Sequence, residues 1–141
     1  MVQNNMLSMK EVMSRPVTHV IANIKPFDKN IEIKAIVLEH RGEYNLKNAK
    51  MTQYLIADNS GSIFLNVYGA EYNSIKPGDI LLVSSAYATL YKDNMILYTS
   101  KGGHLFKIGS FFMVYKPTPN VSLIDWMKEG YTLPQKANEV A

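Results

Sequence analysis

The stretch Ala86-Tyr87-Ala88-Thr89-Leu90-Tyr91-Lys92-Asp93-Asn94-Met95-Ile96-Leu97-Tyr98-Thr99-Ser100-Lys101-Gly102-Gly103 decides how this chain is read. It predicts two strands joined at Lys92-Asp93-Asn94, because Asp and Asn tolerate the backbone angles of a tight hairpin turn. Side chains alternate faces along a strand. Tyr87, Thr89 and Tyr91 therefore share one face of the first strand, and Ile96 and Tyr98 share one face of the second. Pairing the strands crowds three tyrosines onto one surface, flanked by Lys92 and Lys101. Rings beside cations suit a flexible single strand of nucleic acid, whose bases stack on the rings while its phosphates meet the ammonium groups. An amphipathic hairpin with tyrosines at the rim of a core explains the same stretch. On these residues alone both readings stay open.

Working outward, the same alternation recurs. Ile31 to Glu39 predicts a first strand with Ile31, Ile33, Ala35 and Val37 inward; Ile36 and Leu38 break the pattern, as a bent strand serving two surfaces does. His40 to Lys50 reads as a long polar loop holding Arg41, Gly42, Tyr44 and Lys47, and loops of that length are often functional. Met51 to Ala57 is the second strand, and Asp58-Asn59-Ser60-Gly61 a turn. Ser62 to Tyr68 is the third, with Ile63, Leu65 and Val67 inward and Phe64, Asn66 and Tyr68 opposite. Gly69 to Ile75 breaks the pattern and is assigned a short helix or turn. Lys76-Pro77-Gly78-Asp79 turns into a fourth strand running from Ile80 to Tyr91, and Met95 to Thr99 is the fifth. Five strands with a short helix between the third and fourth match the all-β OB-fold barrel.

Composition narrows the function. The 141 residues fit one domain, and the net charge is only +3. That balance permits a polyanion partner without demanding one. Of 15 Lys and Arg residues only Arg15 and Arg41 are arginine, a poor endowment for reading base edges in duplex DNA. The chain has no cysteine, which excludes disulfides, thiolate metal sites and a Cys nucleophile. His19, His40 and His104 are scattered, without carboxylates at ligand spacing. Gly102-Gly103 follows a strand but opens no phosphate-binding motif. We therefore expect no enzyme, no cofactor, no metal and no small-molecule substrate. No apolar run approaches the roughly 20 residues of a membrane span, and no secretory signal core is evident.

An ordered set of residues carries a resemblance. It comprises Ile24-Lys25-Pro26, Ile36-Val37-Leu38-Glu39, Ala57-Asp58 with Gly61-Ser62-Ile63, Ile75-Lys76-Pro77-Gly78-Asp79-Ile80, Ala86-Tyr87-Ala88, Leu97-Tyr98-Thr99 and the run Gly102 to Tyr115. Over roughly residues 20–121 the chain resembles the B subunit of the SOSS complex, the simple eukaryotic single-stranded-DNA-binding proteins with one OB-fold. The resemblance implies a nuclear protein of DNA repair and genome maintenance. It implies base stacking on Tyr68, Tyr87, Tyr91 and Tyr98, with Tyr68 standing where tryptophan is usual. The family's basic residue after the fifth strand falls on Lys101. Lys92, Arg41 and Lys47 are the further phosphate candidates, and Phe64 and Asn66 share Tyr68's face. The resemblance also implies that Ser110-Phe111-Phe112-Met113 docks a large helical scaffold subunit, although Ser110 replaces the usual acidic residue. Two alternatives are carried: an OB-fold assembly subunit with little or no DNA binding, and a single-stranded RNA binder, since stacking and phosphate contacts do not recognise a 2′-OH.

The ends depart from the family. Residues 1–19 read as an extension; Ser8 and Glu11 offer a capping box for a helix over Met9 to Ser14 that Pro16 ends, but a loosely ordered segment is favoured. The OB domain is placed at 20–115. Lys116-Pro117-Thr118-Pro119-Asn120 is expected to lead away from it into a tail, 116–141. There Leu123, Met127 and Tyr131 fall on one helical stripe, and Trp126 is expected to anchor a partner.

Overall fold

A computed structural model describes residues 16–45, 47, 49–69 and 74–132, with the backbone alone for residues 100–103. Five strands carry the fold: β1 (Ile31–Asn45), β2 (Lys50–Asp58), β3 (Gly61–Tyr68), β4 (Asp79–Tyr91) and β5 (Asn94–Ser110). They close into a ring in the order β1-β2-β3-β5-β4. Neighbours are antiparallel except β3 and β5, which close the ring in parallel through Phe64↔Ile96, Leu65↔Leu97 and Asn66↔Tyr98. Among the described residues helix is confined to two 3-10 turns, Ile21–Asn23 and Val121–Leu123. The chain is therefore all-β. The helix expected before β4 falls mostly on residues 70–73, and the capping-box helix on residues 9–14; both lie outside the described residues.

Alternation explains the inside of the ring. Ile33, Ala35 and Val37 of β1, Ile63, Leu65 and Val67 of β3, and Met95 and Leu97 of β5 all join one core, as their period of two requires. Removing these side chains from water is the main drive for closing the ring. The hairpin tip also follows its sequence. Lys92 and Asp93 both have positive φ, 51° and 70°, and Tyr91 pairs with Asn94. That is the two-residue turn whose twist matches paired strands.

Two strands are longer than the sequence pattern indicates. β1 does not end at Glu39; it continues to Asn45, which pairs with Lys50, so the connecting loop is only 46–49. The register shifts between Val37 and Glu39 and again between His40 and Gly42. A bulge sets two residues against one and flips the faces beyond it, so a continuing strand reads as a loop. Arg41 accordingly stands on a strand. β5 likewise passes Thr99 and runs to Ser110. Pairing jumps from Ala86↔Thr99 to Ser84↔His104, which sets residues 100–103 against Ser85, itself at φ 56°. The Gly102-Gly103 pair lies in this bulge.

The expected exit at the prolines is also corrected. β5 pairs with only the middle of β3, at residues 64–66, and leaves the first residues of that edge open. The segment after Tyr115 fills it. Ser62 donates its backbone N–H to Pro119 O (2.9 Å) and its hydroxyl to Pro117 O (2.7 Å), and Phe64 N–H donates to Ser122 Oγ (2.9 Å). Proline lacks a donor but keeps its acceptor, so an edge that presents N–H groups can take it. A Cβ on Gly61 would lie 2.6 Å from Pro119 O, so only glycine admits this approach.

Beyond it Val121 and Trp126 enter the main core, with Trp126 only 4% exposed. Its Nε1–H donates to Val121 O at 2.8 Å, and Tyr131 meets the indole edge-on at 5.5 Å. Trp126 is thus a core residue of its own domain rather than a partner anchor. The helical stripe does not form: residues 126–130 are turns, and Leu123 and Met127 are exposed. The domain includes residues 116–132.

The segment that leads into β1 lies against the domain. Ile21 and Ile24 join the core, Ile21 N–H donates to Asp58 Oδ2 (2.9 Å) and Ala22 N–H to Ser60 Oγ (2.9 Å). Lys116 N–H donates to Asp58 O at 2.8 Å. The β2–β3 turn therefore binds both the entry and the exit of the chain.

Candidate nucleic-acid interface

The outward-facing register brings one residue from each strand into a single row. Gln53 of β2 pairs with Asn66 of β3, Asn66 with Tyr98 of β5, and Tyr98 with Tyr87 of β4. Arg41 of β1 joins the row through its side chain: Nε–H donates to Gln53 Oε1 at 3.1 Å. Gln53 Nε2–H donates to Asn66 Oδ1 at 2.8 Å, and the Asn66 side chain is in turn hydrogen-bonded to Tyr98. Cross-strand neighbours on one face stand close enough for such contacts to run unbroken across a sheet.

Aromatic rings fill the space on both sides of the row. Tyr98 lies between Tyr87 and Tyr68, nearly parallel to both, with centroids 5.4 and 6.4 Å away. Below it, Phe64 and Ile96 pack with Tyr98, against Met51, Leu55 and Tyr87. The Arg41 guanidinium sits 4.2 Å from the centre of the Phe64 ring. At the hairpin tip the Lys92 ammonium lies 5.4 Å from the Tyr91 ring.

Exposure separates platform from support. Tyr91 is 57% exposed and Tyr68 40%, and Tyr87 is half-buried; Tyr98 is only 8% exposed. Phe64 and Asn66 are buried too, so they underlie the face instead of meeting a ligand. The expectation that the Tyr87, Tyr91 and Tyr98 rings lie outside the packed interior fails for Tyr98, because its two neighbours cover its faces. Burial, reinforced by the Tyr68, Tyr87 and Tyr91 phenols and opposed by the Asn66 hydrogen bond, pushes the Tyr98 hydroxyl up to about 12. Burial and the Tyr68 phenol raise that of Tyr87. Both are neutral at physiological pH and present no charge to repel phosphate.

The cations divide as well. Lys47 is exposed in the β1–β2 loop and Lys92 at the opposite hairpin. Lys50 is engaged with Glu43 at 3.0 Å, and this hydrogen bond holds the Glu43 carboxyl below its usual range. Arg41 Nη1 lies 3.5 Å from Glu39. The Lys101 backbone belongs to the bulge of β5, and its side chain lies outside the described residues. Gln53 escaped the sequence reading. Its signal was a lone amide between Met51 and Leu55 on the outward parity of β2.

A second exposed surface lies apart. Phe111 has φ 65°, donates its N–H to Gly78 O (2.8 Å) and lays its ring where any side chain on Gly78 would stand. Phe112 is 94% exposed, and Val114 and Tyr115 follow it on the surface.

No family model matches this chain. Among solved structures it is similar to the solution structure of hypothetical protein F20O9.120 from Arabidopsis thaliana, at 19% identity and a TM-score of 0.66. The match covers 85% of this chain and 90% of that one. At that identity the likeness establishes a shared all-β architecture and nothing about activity.

Proposed function

We propose that the ring is an OB-fold barrel and that the protein binds single-stranded DNA in nuclear repair and genome maintenance, as a relative of the SOSS B subunits. The strand order with parallel closure between β3 and β5, and the curved outer face it produces, support the fold reading. The observation that carries the function is the tyrosine cluster. Tyr68, Tyr87 and Tyr91 offer ring surface around a buried Tyr98, with Arg41 and Lys92 held against neighbouring rings. Unpaired bases have free faces for such rings and stack at about 1–3 kcal/mol each, whereas duplex bases have none to give. The test is titration with labelled oligo-dT, oligo-rU and duplex DNA over a salt series. We expect oligo-dT to bind, duplex to bind much more weakly, and log K to fall with log salt at a slope of roughly −2 to −4, from about −0.7 per phosphate contact. A slope near zero removes the phosphate role. Equal binding of oligo-rU makes the protein a general single-strand binder.

The exposed run Phe111, Phe112, Val114 and Tyr115 favours a second reading, an assembly subunit that docks a large helical scaffold. Under that reading Phe112→Ala loses the scaffold and keeps oligo-dT affinity.

A further inference from the structure

Arg41 is not placed as a phosphate contact is usually placed. Such a contact projects a mobile cation outward. Here the guanidinium lies over Phe64 at 4.2 Å and is tied by Nε to Gln53. Gln53 is fixed by Asn66, which is itself buried and hydrogen-bonded to Tyr98. Both the Arg41 Nε and the Gln53 Nε2 donors point the same way, from Arg41 toward Asn66. The guanidinium is thereby held over the Phe64 ring, while 39% of the Arg41 side-chain surface stays open. Guanidinium planes stack on π-systems from both sides, and an ammonium cannot.

We infer that Arg41 is a stacking platform: one base of the bound single strand lies on its open face, completing a base–guanidinium–Phe64 sandwich at the β1–β2 end of the tyrosine cluster. The strand then crosses the ring from Arg41 past Tyr68 and Tyr87 to Tyr91, and Gln53 acts as the positioning residue for Arg41. This inference rests on the single-strand reading above and gives the ligand a base at the β1 end as well as phosphates. Because the tether holds the plane before binding, little freedom remains to be lost when the base arrives.

The experiment compares the full chain with Arg41→Lys, Gln53→Leu and Tyr91→Ala on fluorescent oligo-dT across a salt series, with thermal melts as the fold control. Arg41→Lys keeps the charge and loses the plane. It should weaken oligo-dT binding roughly tenfold while leaving the salt slope at the parent's value. Gln53→Leu keeps both the charge and the plane but frees the plane, and should weaken binding in the same direction by less. An Arg41→Lys protein that melts like the parent and binds like it overturns the inference, since a point charge would then suffice. A smaller salt slope for Arg41→Lys also overturns it, assigning Arg41 to phosphate. The underlying reading fails separately: if Tyr91→Ala binds like the parent, or the parent binds no single strand, the tyrosine face is not the site and the platform falls with it.

Discussion

Replacing Trp126 by alanine tests whether the last described segment is part of the domain. Trp126 is almost fully enclosed in the main core and its indole N–H satisfies Val121 O at 2.8 Å. Truncating a buried aromatic costs about 3–5 kcal/mol, transfer and cavity together. The orphaned Val121 carbonyl adds about 1 kcal/mol where water does not reach it. A domain of this size holds about 5–15 kcal/mol in total, so a loss of about 4 kcal/mol is a large share. At about 3 °C per kcal/mol for this length, the midpoint should fall by roughly 12 °C. Trp126→Phe retains most of the packing, loses the hydrogen bond, and should cost about 1–2 kcal/mol. The assay is thermal and urea unfolding by far-ultraviolet circular dichroism. The chain has a single tryptophan, so in the parent its emission reports the tail directly. The emission and dichroism transitions should coincide, as they do when one cooperative unit unfolds. A Trp126→Ala midpoint within 2–3 °C of the parent, or an emission change that precedes the loss of strand signal, would refute the claim that residues 116–132 belong to the core.

Tyr91→Ala should weaken oligo-dT binding by about 1–3 kcal/mol and leave the melting midpoint nearly unchanged, whereas Tyr98→Ala should lower both, because Tyr98 is sandwiched and Tyr91 is open. Stability should fall as pH rises through 10 toward 12: Tyr98 and Tyr54 are both pushed up to about 12 in the folded chain, so above pH 10 the unfolded chain releases protons that the folded one still holds. Tyrosinate absorbance in an alkaline titration should accordingly show two late-titrating phenols, and their absence counts against the packed cluster. Gly61→Ala, which sets a methyl against Pro119 O, should destabilise the fold and speed amide exchange at Ser62 and Phe64, the two N–H groups bonded to the tail; unchanged exchange there would show that the contact yields easily.

The inward set of β3 and the tight turn at Lys92-Asp93 were legible because a period of two and a short polar turn each have one common structural solution. The tyrosine grouping on β4 and β5 followed from the same parity and holds in the register Tyr87↔Tyr98. Parity failed where bulges intervene. The two shifts in β1 disguised Arg41 as a loop residue, and the four-against-one bulge at Ser85 hid the second half of β5. Nor can alternation show which outward side chains cover one another, so Phe64, Asn66 and Tyr98 read as surface while their neighbours bury them. The tail was misread for another reason. Pro117 and Pro119 signal the end of a donor pattern, but the edge they meet needs acceptors, and that need is set by how far β5 reaches along β3. The relay from Arg41 to Tyr98 crosses four strands, and no local window of sequence contains it.

The parallel closure between β3 and β5 bears on the order in which the chain assembles. The hairpins β1–β2, β2–β3 and β4–β5 join neighbours in sequence and can form early. Closure needs Phe64 beside Ile96, and the tail then has to reach back so that Ser122 meets Phe64, 58 residues away. Neither contact forms without first ordering a long intervening loop, whose entropy is lost before the contact repays it. The tyrosine face is itself built across that seam, with Tyr68 on one side and Tyr98 and Tyr87 on the other. A chain caught before closure has its hairpins but no stacking surface, so competence to bind a single strand waits on the β3–β5 seam and not on any one hairpin.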